Sequence, residues 1–316
     1  MGRRSSIMNL PKLIATSVVR GSEKGQSHGG IYTIDFNSLE VDQRVDWNNG
    51  DIDFTGRGWD RGLRGIEFYG NQVWIAASDE LFCYTSDFTL VGSYKNEYLK
   101  HCHEISRRDH LLFLTSTGYD SLLVFNLKTA KFIWGLYISK NGEHWVGQRF
   151  DPIAKNGPPF ANNYHINMVH VASTGVYFSG LHSRALLRLR PNMTVSSVCS
   201  LPEGIHNAMP HQNGIIFNDT KSDVVRYLDQ SGKSIVFPVA SYREEDLEFS
   251  GVDSSKIARQ SFGRGLCVVN DTMIAAGSSP STISLYDLKE NERVAIVNLT
   301  MDIRNAIHGL EIWPFD

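Results

Sequence analysis

Six polar side chains occupy the same place in a phrase that recurs along this chain: His308, Arg64, His103, Asn167, Asn207 and Arg264. Two histidines and two arginines in one register suit two kinds of chemistry. Imidazole is a ligand for Fe, Zn, Cu or Mn rather than Ca, and it moves protons near neutral pH. His165 lies two residues before Asn167 and His206 one residue before Asn207. Together with His103 and His308 they make a four-histidine candidate for a divalent metal with positions open to a substrate. Glu104 and Glu311 stand next to these strands and can orient the imidazoles as acceptors. His103, His308 and Glu104 are the candidate catalytic groups. Guanidinium groups instead clamp carboxylate, phosphate or sulfate. On that reading Arg64 and Arg264 bind a small anionic or polar substrate, and Asn167, Asn207, His182 and Asp219 add polar contacts. Metal centre and anion clamp both fit at this level. No nucleotide cofactor is expected.

What must position these residues is a repeat. The phrase reads Arg64-Gly65-Ile66 before VWIAAS, His103-Glu104-Ile105 before LLFLTS and Asn167-Met168-Val169 before VYFSG. It continues as Asn207-Ala208-Met209 before IIFND and Arg264-Gly265-Leu266 before MIAAG. His308-Gly309-Leu310 has only EIWPFD after it. The spacing is roughly 40 residues, with additions before Asn167 and Arg264, and each unit holds short strands separated by turn residues. Four-stranded units of this period predict an all-β protein, a single six-bladed β-propeller of antiparallel blades. The first unit has three strands and the chain ends in a lone one, so the C-terminal strand is expected to join the N-terminal blade and close the ring.

In such a ring the first strand of each blade lines a central channel, and equivalent positions point the same way. The turn between the second and third strands returns to the same end. It carries Asp79, Asp120, His182, and Asp219 with Lys221 and Asp223. The propeller domain is read as residues 12–316, after a disordered leader at 1–11. Insertions at about 138–163 and 240–260 are expected, the first as an ordered lid and the second with a short helix around Glu244 to Phe249. The stretch 48–62 is expected to lie over one mouth. Trp59, Trp145 and Phe160 in these loops are candidate stacking platforms. Ser116 and Thr117 near His103 lack the G-x-S-x-G context of a hydrolase nucleophile.

Composition narrows the classes. The 316 residues carry a net charge of −3, which predicts no general affinity for nucleic acid or anionic membrane. No apolar run is long enough to span a bilayer. Cys83, Cys102, Cys199 and Cys267 form no CxxC pair, and the start lacks a secretory pattern, so a cytoplasmic protein is expected.

The segments HCHEI…LLFLTSTGYDSLLVFNL, YHINMV…VYFSGL and IHNAMPHQNGIIFNDTKSDVVRYLD resemble the repeats of six-bladed propellers of the NHL, strictosidine-synthase, gluconolactonase and arylsulfotransferase-like kind. The resemblance covers about residues 12–316 at the level of the repeat. It implies a pocket at the channel mouth that often holds a metal. Gluconolactonase-like members use Glu, Asn and Asp for calcium. Asn167 and Asn207 are similar to that pattern, while the histidines and the two arginines depart from it. Four spread histidines are also similar to the iron centre of carotenoid oxygenases, which have seven blades. The functional expectation is a metal-assisted small-molecule enzyme at the His- and Arg-lined mouth. The alternative is a non-catalytic ligand-binding or protein-interaction propeller, with a protein as partner.

Overall fold

The computed structural model describes residues 10–48, 62–252 and 258–315. The strands form six antiparallel sheets, five of four strands and one of five. The expected closure is present. Asn305–Ile312 pairs with Leu13–Val19, from Leu13 opposite Ile312 to Val19 opposite Asn305 with a bulge between Ala15 and Ser17, and becomes the innermost strand of blade 1. Two ends of the chain thus share one sheet, and the ring has no open edge between its first and last blades.

The reason these segments form blades can be read from their burial. The second strands, Gln72–Ala77, Leu111–Ser116, Gly175–Gly180, Gly214–Asp219 and Met273–Ser278, are buried nearly throughout because both faces meet a neighbouring blade. Continuous apolar runs suit that position. The outermost strands alternate and face water, as in Glu40–Asp46 and Glu292–Asn298. Six apolar clusters fill the six interfaces between blades. Between blades 2 and 3, for instance, Trp74 meets Leu112, Leu123 and Phe125.

One of the two insertions differs from expectation. Part of 138–163 extends blade 3. Lys131–Asn141 turns back through Gly142 into a fifth strand, His144–Phe150, that pairs along its whole length. The remainder crosses to blade 4 and is tied down by Tyr98, whose hydroxyl accepts the Gly157 N–H at 2.8 Å. In 240–260 the acidic run forms a short 3₁₀ helix at Glu244–Asp246 and a second at Ser250–Val252. It leans on the start of the closing strand through Glu248 N–H to the Met301 carbonyl. The proposed mouth loop, including Trp59, lies at 49–61, outside the described residues, as does most of the leader. No helix among the described residues is long and apolar enough to cross a membrane.

Candidate functional site

The six innermost strands bring one layer of polar side chains together at one end of the channel. Arg64, His103, Asn167, Arg264 and His308 hold equivalent places. Arg64 and Arg264 each donate the backbone N–H to a second-strand carbonyl, of Ala76 and Gly277. All are buried, from 0% exposure at Arg64 to 7% at Arg264. In blade 5 the register differs from expectation by one residue. Asn207 has a left-handed backbone, φ +54, within a bulge between His206 and Met209, so the side chain delivered to the layer is His206. Asn207 drops to the next layer.

The contacts of His206 establish that equivalence. His206 Nδ1 lies 2.8 Å from Thr220 Oγ1, and Thr220 donates to the Gly263 carbonyl at 2.8 Å. His103 Nδ1 lies 3.0 Å from Thr117 Oγ1, and Thr117 donates to the Ile166 carbonyl at 2.6 Å. In each blade the threonine sits at the top turn and bridges to the inner strand of the next blade. Because each hydroxyl proton goes to a carbonyl, each Thr oxygen accepts the imidazole Nδ1–H. His103 Nδ1 also faces the His101 carbonyl at 2.5 Å, which fixes the same tautomer. Nε2 then carries the lone pair in both rings. His308 Nε2 is differently used, since it accepts from Arg264 at 2.8 Å.

Electrostatics favour neutral imidazoles here. Burial, then Arg64 and then the other groups of the ring hold His103 well below its usual range. For His308 the causes are burial, then Arg264 and Arg64. Guanidiniums cluster beyond the ring as well. Arg20, Arg259 and Arg264 lie over the Phe262 ring at 4.4, 5.0 and 4.7 Å, and His206 meets its edge. A recess of about 330 Å³ opens beside them, lined by His182, Glu203, His206, Lys221, Arg259 and Phe262.

Not every expected residue joins the ring. His165 packs against His103 at 5.4 Å between centroids, and His182 follows at 6.2 Å on the exposed rim, 3.4 Å from Glu203. Asp120 explains His165's position: its buried carboxylate accepts the backbone N–H groups of Asn163, Tyr164 and His165 at 2.6, 3.1 and 2.9 Å. Asp219 is paired with Arg226 in its own blade at 3.0 Å and does not face the channel. Phe160 is exposed near Tyr119, whereas Trp145 packs on Tyr164.

Below the ring lies a thin layer. Gly65, Gly265 and Gly309 leave space, and Glu104 reaches across to Asn207, whose Nδ2 donates to Glu104 Oε2 at 3.3 Å. A Cβ on Gly65 would come within 2.6 Å of Glu104 Oε1. Burial pushes the Glu104 carboxyl up to about 8, with the Glu67 charge adding to it. Beneath is a cavity of about 200 Å³ lined by Glu104, Ser106, His170, Cys267 and Glu311. Glu311 faces the open lower end, yet protein surrounds it and the charges of Glu67 and Glu104 are near, so its carboxyl is also raised.

The expected four-histidine metal site does not assemble. Among the described residues no three His, Cys, Asp or Glu side chains are disposed to share a metal ion. The Arg264–His308 hydrogen bond puts a guanidinium where a metal would need the imidazole lone pair. Thr220, Phe262, Arg20 and Arg259 were not anticipated as site residues, and Thr117 was weighed only as a nucleophile. One signal for the threonines was in the sequence: each His precedes its Thr by the same interval, and both turns read Thr-x-x-Asp.

With this geometry in hand, comparison places the fold. The architecture matches solved propellers over nearly the whole chain. A chain from a nidogen/laminin complex aligns with a TM-score of 0.57 at 9% identity, covering 95% of this chain and 97% of that one. Virginiamycin B lyase from Staphylococcus aureus aligns at 0.52 and 9% identity, covering 94% of each chain. A streptogramin B lyase aligns at 0.51 and 12% identity, covering 86% of this chain and 93% of that one. No family model and no curated protein matches the sequence. These likenesses show the fold alone.

Proposed function

We propose that the protein is a small-molecule enzyme that binds an anionic or polar substrate over the His/Arg ring and acts on it by proton transfer. The observation that carries this reading is the pair of buried imidazoles, His103 and His206, each held by a threonine with Nε2 as the acceptor, in one layer with Arg64 and Arg264. A neutral imidazole flanked by guanidiniums is a base already in its working form at neutral pH. His103 Nε2 accepts a substrate proton, and the guanidiniums stabilise the negative charge that develops as the proton leaves. Glu104, one residue on and below the ring, has its carboxyl raised to about 8 and so holds a proton beneath the base at neutral pH. The proton taken by His103 returns to product or water to complete the cycle.

The propeller architecture is shared by lyases and by a chain from a nidogen/laminin complex, so the fold does not choose between catalysis and protein binding. The ring favours catalysis, because a docking surface has no use for oriented imidazoles inside the channel. An anion panel of phosphate, sulfate and acetate tests the reading by thermal shift. Phosphate should raise the melting temperature of the native protein and leave an Arg64→Gln, Arg264→Gln double variant unmoved. Equal shifts in both proteins would overturn it. Tag-free protein incubated with Fe, Zn, Cu, Mn and Ca should retain none at stoichiometric level. Metal that is retained, and lost in a His103→Ala, His308→Ala variant, would restore the metal centre.

A further inference from the structure

The ring has two unlike halves. Blades 6, 1 and 2 supply Arg264, His308 and Arg64, a cationic arc in which Arg264 donates to His308. Blades 3, 4 and 5 supply His103, Asn167 and His206, and the Nδ1 protons of both histidines are committed to Thr117 and Thr220. That half therefore offers imidazole acceptors. Between them in the ring order stands Asn167. It is 3% exposed, and among the described residues neither its Oδ1 nor its Nδ2 has a hydrogen-bond partner. A buried amide in that condition is costly, and an apolar side chain of similar size would serve the blade better. Its polar atoms call for something that enters the channel.

We infer that the ring recognises a short carboxylate that bears a hydroxyl on its carbon chain, with the carboxylate on the Arg64–Arg264 arc and the hydroxyl at Asn167 and the neighbouring imidazoles. This rests on the anion-binding reading above and adds the second half of the ligand. A hydroxyl fits the far half on two counts. It donates to Asn167 Oδ1 or His103 Nε2 and accepts from Asn167 Nδ2. It also carries no positive charge, which the nearby guanidiniums would repel. The imidazoles of His103 and His308 are only 5.4 Å apart between centroids, so the ligand is small or is seated across the top of the layer. The same hydroxyl proton is the one that His103 is placed to remove.

The test titrates the full-length protein, labelled with ¹⁵N-histidine, with glycolate, acetate, glycine and inorganic phosphate, and follows the ring signals of His103 and His206. Glycolate should bind about tenfold tighter than acetate, as expected for a hydroxyl that satisfies a buried amide. Glycine should bind no tighter than acetate. In Asn167→Leu the glycolate preference should vanish while phosphate binding persists, and the melting temperature should rise. If that variant does not fold, Asn167→Ala carries the same expectation for the preference. Equal affinity for glycolate and acetate would overturn this inference and leave the anion site standing. Glycine matching glycolate would overturn the hydroxyl assignment. No response to any of the four compounds would overturn both.

Discussion

The two ends of the channel are built from the same six strands and have opposite chemistry. At one end Arg64, Arg264, His103, His206 and His308 form a layer in which His103 and His308 are kept neutral by burial and by neighbouring cations. At the other, burial raises the carboxyls of Glu67, Glu104 and Glu311, the Glu67 charge adds to the rise at Glu104, and those of Glu67 and Glu104 add to it at Glu311. The boundary is a single layer of Gly65, Gly265 and Gly309 with Glu104, Met168 and Asn207, in which Gly65 lies against Glu104 and the Gly265 N–H donates to Asn207. Side-chain alternation along a strand makes such a boundary cheap to build, because adjacent residues report to different environments. The comparison teaches that a propeller channel can hold an acid and a base a residue apart without either neutralising the other.

The largest effect should come from filling the boundary. A Cβ at Gly309 would land on the Arg64 carbonyl oxygen and 2.7 Å from Thr16 Oγ1, both held by the blade 1–2 contact. Gly309→Ala should cost about 3 kcal/mol, read as a shift in the denaturant midpoint at constant slope, because backbone cannot move aside as a side-chain tip can. A full native midpoint would mean that the layer is looser than described.

The next effect separates the two ends by pH. Glu104 has a folded pKa of about 8, above its unfolded value, so its contribution to stability is full below about 4.5 and is lost as pH rises to 8. His103 and His308 are shifted the other way, and their contribution is lost as pH falls below about 6.5. Glu104→Gln should therefore gain about 1–2 kcal/mol relative to the native protein between pH 5 and pH 8, after allowance for channel water. Parallel pH profiles would remove the acidic half of the comparison.

Smaller again is the loss of a threonine bridge. Thr117→Val or Thr220→Val should cost about 1–2 kcal/mol, and Thr220→Val should also let the proton of His206 redistribute between the ring nitrogens, whereas the His101 carbonyl still holds the His103 tautomer. Serine at 220 should restore the native tautomer. The smallest effect concerns His308, whose pKa should rise in Arg264→Gln because a cation that opposes its protonation is gone. A histidine ¹⁵N titration reads both.

Much of this was legible in the sequence. The repeat phrase located all six inner strands, the closing strand among them, because each precedes a second strand that is buried on both faces and so apolar for nearly its whole length. Five of the six ring residues followed from register alone. Blade 5 did not, since the bulge at Asn207 depends on a left-handed backbone that hydrophobic pattern does not encode. The fifth strand of blade 3 was hidden for a related reason. His144–Phe150 is largely exposed and carries little apolar signal, so it reads as loop until its partner strand is seen. The four histidines do not group as metal ligands among the described residues, because sequence supplies residue types but not who donates to whom, and Arg264 already occupies the lone pair of His308.

The most direct test of the central claim is the ¹⁵N spectrum of histidine-labelled protein at pH 7, with His103 assigned by a His103→Gln variant. The account predicts a neutral ring with its proton on Nδ1 and a bare Nε2, unchanged until the pH is well below 6.5. An imidazolium at pH 7, or a proton resident on Nε2, would contradict it.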